Sequence, residues 1–172
     1  MEGLDLFPRS ILRGTLPAPL LNQLIDLGES VLANPSASPD ASAKLAGQLR
    51  QQRELRPDQP AVQQLSAEVL LPACDRWIRH VMDRQPPQGR GPWVPGRYRL
   101  QMIDLWINCQ TAGDYNPTHT HGGSFSGVIF LQGPPQITGT SFGGQLCVHG
   151  PEAWHLQSVR TGMAHYVLPV PG

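Results

Sequence analysis

Eighteen glycines and eighteen prolines make up about a fifth of the 172 residues. Proline has no backbone N–H to give to a helix or a central strand, and glycine loses most entropy when ordered. A chain so rich in both is a poor candidate for a helical bundle. It suits a turn-rich β fold. At this length one domain is expected, with a modest core, since 40% of residues are hydrophobic and 6% aromatic.

Charge narrows the function classes. Only 15% of residues are charged, and thirteen acids balance thirteen bases. A polybasic nucleic-acid binder and an acidic tail are both disfavoured. Twelve of the bases are arginine and Lys44 is the single lysine, which reads as composition bias rather than a phosphate-binding device. No apolar run approaches eighteen residues, so no membrane-spanning helix is expected. Residues 1–16 lack the basic region and apolar stretch of a signal peptide. Cys74, Cys109 and Cys147 are far apart and odd in number. They read as reduced thiols buried for packing, and the chain as cytoplasmic.

Helical periodicity is confined to the front. Leu20, Leu21, Leu24, Ile25, Leu27 and Val31 form a near-helical stripe over residues 17–32. Residues 34–40 break it with two prolines. Polar, Gln-rich sequence runs to Pro60, and Val62, Leu65, Val69, Leu70, Cys74, Trp77, Ile78 and Val81 then mark a second amphipathic helix over 61–82. Pro72 should bend or break it. A Gly/Pro-rich connector over 85–96 leads to a different pattern. Residues 98–108 alternate as a strand does, and apolar runs of strand length follow at 126–131, 145–149 and 165–168. The expected architecture is α+β. Residues 1–96 form an N-terminal helical layer and connector, and residues 97–172 form the strands, as one structural domain overall.

The chemistry concentrates in residues 113–128, which hold Gly113, Asn116, His119, His121, Gly122, Gly123, Ser126, Gly127 and Val128. In a strand, side chains two apart share a face, about 7 Å apart. His119 and His121 can therefore enter one cavity as half of a metal site. Paired histidines are also ordinary turn residues, and the spacing alone carries little weight. The surrounding string carries more.

Trp106 and Asn108, then Gly113, Asn116, His119-x-His121 and Ser126-Gly127-Val128 with its apolar strand, resemble a family of iron(II)- and 2-oxoglutarate-dependent oxygenases of the marine bacterial and phage type. Leu6-Phe7-Pro8 also looks like that family's start. The likeness spans most of the chain, but only 106–131 is specific. It implies a double-stranded β-helix, the cupin-like jelly-roll, with two N-terminal helices packed on it and iron at one mouth. It implies Fe(II), with 2-oxoglutarate as cosubstrate, and hydroxylation of a small-molecule or peptidyl substrate.

The iron of such a centre needs three protein ligands, two from a His-x-Asp/Glu strand and a later histidine. Here His121 stands where the carboxylate should be. Either it replaces the carboxylate, or it is itself the first ligand and Gly123 occupies the carboxylate position. We favour His119 and His121 as joint ligands. Asn108, Tyr115, Asn116 and Ser126 are candidates to contact the cosubstrate, and Asp114 to orient a histidine. The strand at 166–168 and its Pro169 turn are not followed by the distal histidine and 2-oxoglutarate-binding arginine, so the expectation is a truncated member with an incomplete jelly-roll. Of the internal histidines, His165 is the third-ligand candidate. His149 reads as a turn residue, His155 as a loop residue beside Trp154, and His80 as a solvent-facing helix residue. Arg160 reads as a solvated loop arginine.

Two other classes compete. A cupin-type metal protein would share the fold and the Gly113…His119-x-His121 spacing, but the glutamate of that signature is missing, with Phe125 and Ser126 in its place. An inactive fragment would bind no iron, and its exposed sheet edges would favour a homodimer. No phosphate-binding loop, nucleophile elbow or dinucleotide fingerprint is present. No membrane or nucleic-acid partner is expected.

Overall fold

The computed structural model describes residues 11–42, 47–84, 99–117, 124–135, 137, 146–149, 164–167 and 171. Helix α1 spans Ala18–Ala33. Pro17 is its N-cap, with Pro19 in the first turn, where a missing N–H costs nothing. Leu20, Leu24, Gly28 and Val31 are its buried positions, a stripe at the i, i+4, i+8 and i+11 spacing of one helix face. Asn34 ends it, its N–H donating to the Ser30 carbonyl at 3.1 Å. A single 3-10 turn follows at Pro35–Ala37.

The second helical stretch is continuous through residues 60–84 but changes pitch. An α-helix, α2, covers Pro60–Gln64. A π-helical segment covers Leu65–Leu70, and α3 covers Leu71–Arg84. The wide segment lies immediately before Pro72. A proline ring clashes with the carbonyl four residues back and leaves it without a donor. Here Leu71 donates to the Ser66 carbonyl, five residues back. The wider turn takes up the misfit, so the bend expected at Pro72 is met by a local change of helix type.

Strand β1, Gln51–Glu54, pairs antiparallel with β2, Trp106–Cys109, with Gln52 opposite Asn108 and Glu54 opposite Trp106. Residues 39–41 run along the other edge of β1. The Ala41 N–H donates to the Gln52 carbonyl at 3.1 Å, and the Glu54 N–H donates to the Pro39 carbonyl at 3.0 Å. A second ladder joins β3, Leu146–His149, antiparallel to β4, Ala164–Val167. These described ladders neither assemble the expected jelly-roll nor exclude it.

Two expected strands come out differently. Of the alternating stretch at 98–108, the ladder takes in the end of the run and extends to Cys109; residues 99–105 lie outside it, although the Leu55 N–H reaches the Leu105 carbonyl at 2.9 Å. Residues 126–131 belong to no ladder among the described residues. Of their apolar side chains, Ile129 and Leu131 pack on the helical cluster instead, while Val128 is 57% exposed. Leu20, Leu24, Ala61 and Leu65 form a buried cluster between α1 and the second helical stretch, and Leu105, Ile129 and Leu131 lie against it. Phe125 meets Trp77 of α3 edge to face, with ring centroids 5.4 Å apart. Gln132 Nε2 donates to Glu29 Oε1 of α1 at 3.1 Å. Gly28 of α1 packs so closely on β2 that a Cβ there would overlap Ile107 Cδ1. The connector at 85–96 and its boundary at residue 96 lie outside the described residues.

Leu65 is 1% exposed at the centre of this cluster. Leu65→Ala should cost about 2–5 kcal/mol, the range for emptying a well-packed leucine site. Urea unfolding with an unchanged slope and a lowered midpoint is the expected result.

Candidate functional site

The approach to the histidine pair is built from β2 and the turn after it. Thr111 to Asp114 is a hydrogen-bonded reversal in which the Asp114 N–H donates to the Thr111 carbonyl at 3.0 Å. Its third residue is Gly113, with φ of +92°. A left-handed third position preceded by an ordinary Ala112 is the type II pattern, which glycine adopts without steric penalty. Asp114 Oδ2 then closes the turn from inside. It accepts from the Thr111 N–H at 2.8 Å, from Thr111 Oγ1 at 3.1 Å and from the Arg50 N–H at 3.2 Å.

Those bonds, first of all the one from the Thr111 backbone, hold the Asp114 carboxyl below the usual aspartate range. Asp114 is therefore engaged in fixing its own turn and tying it to Arg50. This is the ordinary turn role weighed against histidine orientation in the sequence.

Next comes a two-way backbone bridge. The Gln48 N–H donates to the Tyr115 carbonyl at 2.9 Å, and the Tyr115 N–H donates to the Gln48 carbonyl at 3.0 Å. Beside it Gly47 is pressed against residues 115–117. A Cβ on Gly47 would overlap the Tyr115 carbonyl oxygen and come within 2.7 Å of Pro117 Cδ and 2.8 Å of Asn116 Cα. Only a residue without a side chain fits there. Pro117, two residues before His119, is thus held by contacts from a segment some seventy residues earlier.

The candidate residues distribute as follows. Asn108 is an exposed position of β2. Tyr115 is 58% exposed, and Asn116 is exposed beside it. Ser126 is exposed in the segment after the pair. His119, His121 and Gly123 lie outside the described residues, as do His155 and Arg160. His165 is a β4 position opposite Val148. His149 differs from the expected turn residue: it is the last residue of β3, paired with Ala164, so the strand run at 145–149 holds to its end. His80 is exposed on α3, as expected, and lines a cleft of about 140 Å³ with Ile11, Leu12, Arg76 and Trp77. Cys74 and Cys109 are free thiols, each half-buried. Burial pushes the Cys74 thiol up, away from the reactive thiolate form.

The donor chemistry can be set against a metal. Two imidazoles from a His-x-His suit Fe(II) or another borderline divalent ion. Among the described residues no group of three or more His, Cys, Asp or Glu side chains gathers to hold one. Asp114, the nearest carboxylate in sequence, is already engaged by Thr111 and Arg50.

Two residues important here carry no motif signal. Gly47 sits in an unremarkable small-residue stretch, and its role needs a partner distant in sequence. Gln52 is 3% exposed within β1, yet its four-residue strand reads Gln-Gln-Arg-Glu, without an apolar position. Among the described residues no helix is long and apolar enough to cross a membrane.

Gly47→Ala should destabilise the fold by about 1–3 kcal/mol, the usual range for overpacking. It should also displace residues 115–117, seen as loss of slow amide exchange at Tyr115. The Asp114 carboxyl has a lowered folded pKa, so its contribution is present above the ordinary aspartate value and is lost as pH falls through the folded value. Asp114→Asn should therefore flatten the acid limb of stability below about pH 4, near the unperturbed aspartate pKa, when unfolding midpoints are followed from pH 6 downward. The chain matches no protein-family model, and no curated protein and no solved structure matches it significantly.

Proposed function

We propose that the chain is a non-haem iron(II)- and 2-oxoglutarate-dependent dioxygenase-like protein built on a jelly-roll. The observation that carries this reading is the His119-x-His121 pair within the string that runs from Trp106-x-Asn108 through Gly113 and Asn116 to Ser126-Gly127-Val128. The local geometry supports it in one respect. The chain enters the pair from a turn locked by Asp114 and from a bridge clamped by Gly47 and Gln48. A catalytic loop on a rigid lead-in loses less entropy when it takes up a ligand.

His119 and His121 hold the metal, with His165 the candidate third donor. When bound, Fe(II) with 2-oxoglutarate supplies dioxygen activation coupled to decarboxylation of the cosubstrate and hydroxylation of an organic substrate. The chain's own polar groups then bind and orient. Asn108 offers an amide from β2, and Tyr115 and Asn116 offer a phenol and an amide from the exposed side of the clamped turn. Ser126 offers a hydroxyl from the segment beyond the pair. Carboxylates of a keto diacid are bound by such donors, more strongly as water is excluded. The substrate is a small molecule or a peptidyl side chain, and the setting is cytoplasmic.

The Gly113…His119-x-His121 spacing also matches, in part, a cupin-type metal protein, whose signature glutamate is missing here. Dependence on 2-oxoglutarate separates the two. Anaerobic Fe(II) titration of the full chain should give a metal-to-ligand charge-transfer absorption only when 2-oxoglutarate is added, and none in the His119→Ala/His121→Ala double variant. Metal uptake through both histidines with no response to 2-oxoglutarate would assign the cupin class. A chain that takes up no divalent metal would overturn both.

A further inference from the structure

The face of the β1–β2 ladder that carries Asn108 also carries a buried amide. Gln52 is opposite Asn108 and Glu54 opposite Trp106. Directly paired residues project to the same side, and so do residues two apart, so these four side chains share one face. Gln52 is 3% exposed, whereas Asn108 is exposed. With its oxygen turned toward the indole, Gln52 accepts from Trp106 Nε1 at 2.8 Å, and its nitrogen donates to the Ala41 carbonyl at 3.2 Å. Asn108 Oδ1 as placed lies 3.2 Å from the same Gln52 oxygen; two oxygens repel, so the Asn108 amide turns as well and donates from Nδ2.

A buried primary amide needs its donors and acceptors met, because an unmet group keeps its full desolvation penalty. The surroundings of Gln52 can meet them in only one way. Its nitrogen must face Ala41, because a carbonyl oxygen only accepts. Its oxygen must face Trp106, because an indole N–H only donates. That choice dictates the Asn108 amide in turn. The Gln52 oxygen attracts the Asn108 nitrogen and repels its oxygen. The remaining N–H and the carbonyl of Asn108 are left toward solvent, in a fixed sense.

We infer that Gln52 is a positioning residue, which sets the orientation in which Asn108 presents its amide from β2 to a bound ligand. The ligand's identity as a keto diacid rests on the function proposed above; the orienting role rests on the Gln52 geometry alone. Gln52 touches no ligand in this arrangement, and its effect passes through Asn108.

Two measurements on the full chain test it. The first needs no metal. In 15N-labelled protein, the Trp106 indole N–H is assigned with Trp106→Phe and the Asn108 side-chain amide with Asn108→Ala. Gln52→Met, which keeps the length and removes the polar groups, should shift both signals and speed exchange at the Asn108 amide. Gln52→Glu, whose buried carboxyl in its protonated form donates its O–H to the Ala41 carbonyl and accepts from both donors through its other oxygen, should restore them. The second is the 2-oxoglutarate titration of the Fe(II) protein under anaerobic conditions. Gln52→Met should weaken 2-oxoglutarate about tenfold, the worth of one good hydrogen bond, at unchanged iron affinity. Asn108→Ala should cost about the same, and the double variant no more than Asn108→Ala alone.

Unchanged Asn108 signals in both Gln52 variants, or fully additive losses, would overturn the inference. A chain in which Gln52 controls the Asn108 amide but that gives no 2-oxoglutarate response keeps the positioning role and overturns the oxygenase function. Where Gln52→Met does not fold, the unsubstituted protein carries the test: the Asn108 Nδ2 proton bonded to Gln52 should exchange more slowly than its solvent-facing partner, and equally fast exchange of both opposes the inference.

Discussion

A polar strand that buries the Gln52 amide is the constraint on which the rest of the described structure depends. β1 has no apolar residue, yet it is the middle member of a three-segment arrangement, with residues 39–41 on one side and β2 on the other. Hydrophobic burial does not place it there. Backbone ladder bonds do, together with the Gln52 amide, whose hydrogen-bonding groups meet Trp106, Ala41 and Asn108. Losing one such partner in a buried setting costs more than the bond contributes when it is made. The strand position is therefore specified by satisfaction of polar groups rather than by apolar area.

From that strand the contacts spread in two directions. On one side, β2 brings Ile107 against α1 at Gly28, and the helix stripe of Leu20 and Leu24 meets Ala61 and Leu65. The 126–131 segment closes over the same cluster through Ile129 and Leu131, with Phe125 turned onto Trp77. On the other side, β2 runs into the Asp114 turn and the Gln48–Tyr115 bridge, which Gly47 keeps tight. The same strand thus ties the helical layer to the approach of the histidine pair. A change in the core can reach the candidate site through one short ladder.

The helices were legible because their apolar residues recur with the helical period. Leu20, Leu24 and Val31 in α1, and Val62 and Leu65 in the second stretch, are buried as that pattern requires. The pitch change at 65–70 was legible only as trouble at Pro72, since a sequence states the clash and not the way it is relieved. β3 and β4 followed from short apolar runs. The run at 126–131 looked the same but packs Ile129 and Leu131 on the helix cluster, because a short apolar run satisfies either environment and neighbours decide between them. Of the candidate site, Asn108, Tyr115, Asn116 and Ser126 were visible as residue types beside a motif. The roles of Gly47 and Gln52 were not, because each depends on a partner more than fifty residues away.

By itself the sequence determined where helical periodicity ends, which residues form the helix core, and where the imidazoles and polar side chains of residues 106–131 stand along the chain. Those properties are local: a period, a residue type, a spacing. Tertiary structure alone decided that an all-polar strand would bury its Gln52 amide, that Asp114 would fix a turn, and that a glycine at 47 would clamp residues 115–117. The reason is physical. Which polar groups are satisfied, and how closely two backbones approach, are properties of pairs of segments distant in the chain, and no local pattern encodes them.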